Sequence, residues 1–64
     1  MKCIGREILI TMETIGTYAT AKEIKERHNE IFKTQLNLDS INMWLTYFIL
    51  NNVVDGYFDN YWMK

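Results

Sequence analysis

Cys3, His28 and the aspartates Asp39, Asp55 and Asp59 are the side chains of this 64-residue sequence best suited to nucleophilic, acid–base or metal chemistry. Their spacing argues against all three. Cys3 has no second cysteine to pair with, and nothing around it marks a basic or helix-start environment that would activate a nucleophile. A structural zinc needs about four ligands, and Cys3 and His28 are two, far apart and without finger spacing. The aspartates lack the spacing of a calcium loop; Asp39 suits a helix cap, and Asp55 and Asp59 suit turns. His28 falls on the apolar side of a helical pattern and reads as a packed or edge residue. No glycine-rich phosphate loop and no nucleophile–base pair occurs. The expectation is a protein with no catalytic activity, metal or cofactor, and with no small-molecule ligand.

Charge and aromatic content are more informative. The formal net charge is −1 and it is unevenly spread. Residues 1–33 carry six Lys and Arg against five Glu, whereas residues 34–63 carry Asp39, Asp55 and Asp59 and no cation. Autonomous DNA-binding domains are commonly basic, because phosphate neutralisation supplies much of their affinity. Here only Lys22, Lys25, Arg27 and Lys33, interleaved with glutamates, offer a local basic segment. The acidic part holds most of the aromatics, among them Trp44, Phe48, Tyr57, Phe58, Tyr61 and Trp62. Without a basic groove beside them, these read as core and hairpin packing more than as a stacking platform for bases.

The elements that must position these groups follow from periodicity. Ile4, Ile8, Met12 and Ile15 mark one face of a first helix, with Leu9 on its edge, and Gly16 ends it. Arg6, Glu7, Glu13 and Thr14 are expected on its outer side. Thr17-Tyr18-Ala19 is too long for a tight turn and suits a short extended piece. Thr20 and Glu23 have the spacing of a capping box, so a second helix starts near Ala21. Its apolar face is Ala21, Ile24, His28, Ile31 and Phe32, and Glu23 with Arg27 forms an i, i+4 pair outside. A third helix follows Asn37 or Asp39 as cap, with Trp44, Leu45, Phe48 and Asn52 all within about 60° of Ile41 around its axis. "VVDGYFDNYWMK" then reads as two short strands, with a bend at Asp55-Gly56 or, preferably, at Asp59-Asn60. The longest apolar run is far below the roughly 18 residues of a membrane span. With no signal-peptide pattern and one cysteine, a cytoplasmic location is expected.

"TAKEIKERH" and "SINMWLTYFILNNVV" resemble the capped second helix and the third helix with its exit in winged helix-turn-helix proteins. The closing "YWMK" is similar to the end of small fimbrial-operon regulators of that class. The resemblance implies one domain over residues 1–64, mainly α with a small β-wing. It also implies a DNA-binding transcription regulator acting as a homodimer. The third helix would enter the major groove, with Ser40, Asn42, Thr46 and Tyr47 toward the bases and Lys22, Lys25, Arg27 and Lys33 on the backbone. The family places Arg or Lys on this helix and in the wing, and this sequence has none there. Opposite the third helix's core stripe lie Met43 and Leu50 with Tyr47 beside them, where a surface helix is ordinarily polar. That face suits a protein contact, a self-dimer being its simplest form. The alternative expectation is therefore a protein-interaction module, of the kind that phage and mobile elements encode to bind or inhibit a partner.

Overall fold

The computed structural model describes residues 3–64. Helix α1 spans Ile4–Ile15 and stops at Gly16, whose φ of 77° is left-handed and whose N–H donates to the Met12 carbonyl. A residue without a Cβ enters that region freely, so the helix ends where the sequence placed its glycine. Strand β1, Ala19–Thr20, runs directly into α2, Ala21–Phe32. The capping box is complete: the Glu23 N–H donates to Thr20 Oγ1 at 3.1 Å, and the Thr20 N–H donates to Glu23 Oε1 at 2.9 Å. This engagement draws Glu23 back toward the helix start. The expected Glu23–Arg27 pair is not formed, and the ion pair found among the described residues is His28–Glu7.

Lys33 closes α2 with a φ of 55°. The Asn29 amide then fastens the turn that follows: its Nδ2 donates to the Leu36 carbonyl, and its Oδ1 accepts from the Leu36 N–H and the Thr34 hydroxyl. Of the two candidate caps for α3, Leu38–Leu50, it is Asn37 that accepts the Ser40 N–H, while Asp39 sits in the first turn. There its charge favours the positive end of the helix. Strands β2, Val54–Tyr57, and β3, Asn60–Met63, form a hairpin, and β1 adds to its other side in the order β1-β3-β2, all antiparallel.

The hairpin bend corrects the expectation by one residue. Tyr57 pairs with Asn60, so the two-residue turn is Phe58-Asp59, with φ of 46° and 64°. Asp55 and Gly56 both lie in β2. Gly56 stands opposite Tyr61, and a Cβ on it would come within 2.9 Å of that ring. A bend at Asp59-Asn60 would set Phe58 opposite Tyr61 instead, where there is no such room.

The core joins all these elements: Ile8 and Met12 from α1, Ala19 from β1, Ala21 and Ile24 from α2, Ile41, Leu45 and Phe48 from α3, and Val54 from β2. Ile15, Trp44 and Tyr61 pack against its edge. The result is three helices with a small three-stranded antiparallel sheet, and no described helix is long and apolar enough to cross a membrane. Two inner-face assignments need correction. Ile31 is exposed, with Phe32 half-buried, and Asn52 is exposed at a φ of 61° in the turn after α3. Each lies at or beyond the end of its helix, where the neighbouring elements no longer reach.

Candidate interaction site on the third helix and hairpin

Asp39 is the single charged residue among the thirteen of α3. Ile41, Leu45 and Phe48 face inward and are buried, which leaves Met43, Tyr47 and Leu50 in solvent at 69 %, 55 % and 77 % exposure. An apolar stripe on each side of a 13-residue helix means that the core uses only one of them.

The outward stripe has a stiff base. Trp44 stacks on Phe48 with ring centres 5.6 Å apart, and Tyr47 meets both rings edge-on at 5.8 Å. The indole lies so close over α1 that a Cβ on Gly5 would be 2.7 Å from it. Met43, Trp44 and Tyr47 surround a concavity of about 400 Å3 that is almost wholly apolar. An aromatic-walled recess held by packed neighbours is suited to receive an apolar side chain, since ordering it costs little on binding. A second exposed apolar pair stands at the hairpin tip, where Tyr57 and Phe58 meet at 4.5 Å and Phe58 is 81 % exposed.

The polar positions are more scattered. Asn42 and Thr46 are exposed on α3, and Ser40 is half-buried with its N–H held in the Asn37 cap. Lys22 and Lys25 lie about 60° apart on α2, at 100° per residue, and Lys33 follows its last residue; Lys22 and Lys33 are exposed and Lys25 is half-buried. Arg27 is exposed away from them, in a recess shared with Glu23, Glu26 and Glu30. The four expected phosphate contacts are thus two neighbouring lysines, a third at the helix end and one arginine among acids. The cation in the chain's last position, Lys64, donates to Asn52 Oδ1.

His28 is buried at 1 % exposure, as its place on the apolar face implied, but it is no ordinary core residue. Its Nε2 lies 3.0 Å from Glu7 Oε1, and its Nδ1 lies 3.3 Å from both Asn29 Oδ1 and Thr34 Oγ1. Glu7 therefore does not stand on the outer side of α1, because the imidazole buried between the helices requires an acceptor there. Thr11, another residue outside the expected face, is fully buried and donates its hydroxyl to the Glu7 carbonyl. Both were visible on a helical wheel, about 60° and 20° from Ile4; their polarity hid them. Cys3 is the N-cap of α1, so a helix start does lie beside it, yet it is exposed and its side chain makes no cap hydrogen bond. The aromatics divide: Phe48 is core, Trp44 and Tyr61 pack on its edge, and Tyr57 and Phe58 face solvent. No family model, characterised protein or solved structure matches this chain.

Proposed function

We propose that the chain is a winged helix-turn-helix module that works by docking onto another protein. Helix α3 lays Met43, Tyr47 and Leu50 on an apolar surface whose rim is basic. The observation that carries this reading is the two-sided α3, with a core stripe inside, an exposed apolar stripe outside and one charge in thirteen residues. Charge selects the partner. Asp39, Asp55 and Asp59 are the only charges between residues 34 and 63. A second copy would carry the same acidic charges, whereas a basic rim would complement them. A standard interface of about 800 Å2 per partner takes less than a fifth of the 4575 Å2 surface.

The test is a photo-crosslinker in place of Tyr47, with the same group at Arg6 as control, in the source cells. A discrete adduct from position 47 that Leu50→Glu removes supports the reading. An adduct of twice the chain's mass names a second copy, the homodimer, as the occupant. An adduct indifferent to Leu50→Glu rejects this face.

A second reading, a DNA-binding transcription regulator, is favoured by the order of the elements and by the neighbouring Lys22 and Lys25 on α2, with Lys33 at its end. Asn42 and Thr46 would then reach base edges from α3. On that reading affinity for random duplex DNA falls steeply with salt, by a log–log slope of about −0.9 per phosphate contacted, and Lys22→Glu weakens it. On the docking reading, no duplex binding is measured in the same anisotropy titration.

A further inference from the structure

On another part of the surface, the last turn of α1 and strand β3 border a cleft of about 540 Å3. Glu13, Tyr18 and Trp62 line it, with Met12 and Met63. This volume is within the range of ligand sites, roughly 300–1,000 Å3. The fold builds it from three separate devices. Gly16 stops α1 just past Glu13, so the chain turns and Tyr18 comes back alongside the helix end. The β1–β3 register pairs Ala19 with Tyr61 and Thr20 with Asn60, and Tyr18, just before β1, lines the cleft together with Trp62. On its other side Trp62 stands opposite Asp55 of β2. Directly opposed residues of antiparallel strands share a face, so Asp55 stands on the same side of the sheet as Trp62.

We infer that this cleft is a binding site for a side-chain cation, an arginine guanidinium on an extended segment of a partner polypeptide. Aromatic ring faces carry negative electrostatic potential, and a planar guanidinium stacks on such faces while keeping its donors free for a carboxylate. Glu13 supplies that carboxylate, and among the described residues no Lys or Arg lines the cleft. Met12 and Met63 add polarisable walls. A phosphate-bearing ligand meets Glu13 with no cation among the described lining residues, which argues against a nucleic-acid strand despite the exposed rings. The inference does not depend on the reading of α3: the residues are different, and the site can hold or fail by itself.

The experiment uses the intact 15N-labelled chain, whose two indole N–H signals, Trp44 and Trp62, report separately. Blocked tetra-arginine peptide is titrated in at low salt, beside tetra-citrulline, which is similar in shape and uncharged. The expected result is a saturating shift of the Trp62 indole with Trp44 unmoved, and no shift with citrulline. Glu13→Gln weakens binding by about threefold to tenfold and Tyr18→Leu by at least as much, as a partly exposed cation–π contact implies. Glu13 is an exposed helix position, so its variant keeps the fold, which the dispersion of the backbone spectrum checks. An unmoved Trp62 signal, equal shifts with citrulline, indifference to both substitutions, or saturable binding of oligothymidine at Trp62 would each overturn the inference.

Discussion

At the scale of single residues, His28 and Glu7 tie α1 to α2 through one buried contact of 3.0 Å between positions 21 apart in the chain. A carboxylate only accepts, so Nε2–H donates to it. Removing the acceptor strands a buried donor. Glu7→Ala is therefore expected to cost about 1–3 kcal/mol in urea denaturation, while Glu7→Leu with His28→Leu recovers most of that loss, since neither partner is then left unpaired. A double variant no more stable than Glu7→Ala would show that the imidazole is held by packing alone. Gly5 is a second such point. In a solvent-exposed helix interior, glycine to alanine gains about 1 kcal/mol. Here the new methyl meets the Trp44 ring at 2.7 Å, and overpacking of about 1–3 kcal/mol outweighs the gain. Gly5→Ala should lower stability and red-shift the Trp44 emission as the indole is pushed outward.

The elements obey local rules except at one turn. Caps at Thr20 and Asn37 and the glycine stop at Gly16 are short-range devices, fully present in the sequence and fully used. The hairpin is different. Two-residue turns with both residues at positive φ favour Asn and Gly, and this one places Phe58 and Asp59 there. A bulky residue in the left-handed region costs roughly 1–2 kcal/mol. The longer-range fit of Tyr61 over Gly56 sets the register against that cost. Phe58→Asn with Asp59→Gly should consequently stabilise the domain by about 1 kcal/mol in thermal or urea unfolding, with unchanged strand pairing. Unaltered or lower stability would show that the Tyr57–Phe58 ring contact contributes more than the backbone strain removes. The tip is thus better explained by what its exposed ring can touch than by the needs of the turn.

For the molecule as a whole, α3 links the two halves: its inner stripe closes the helical core, and Ile49 and Phe48 lead on to the sheet through Val53 and Val54. The Val53 N–H donates to the Phe48 carbonyl, and the Ile49 side chain reaches Gly56. Helices and hairpin should then unfold together. Far-UV circular dichroism and tryptophan fluorescence, the latter sensing both Trp44 and the hairpin's Trp62, are expected to give one coincident urea transition. An earlier fluorescence transition would mark the hairpin as a separate, weaker unit. What the sequence determined by itself is the set of helices, the capping box at Thr20, the stop at Gly16, the charge asymmetry and the inward trio Ile41, Leu45 and Phe48, because each depends on neighbours within a turn or two. Tertiary structure alone decided the inward turn of Glu7, the closeness of Trp44 to Gly5, the register of the hairpin and the gathering of Glu13, Tyr18 and Trp62 around one cleft. Those contacts join residues distant in the chain, and their geometry is set only when several elements pack against one another at once.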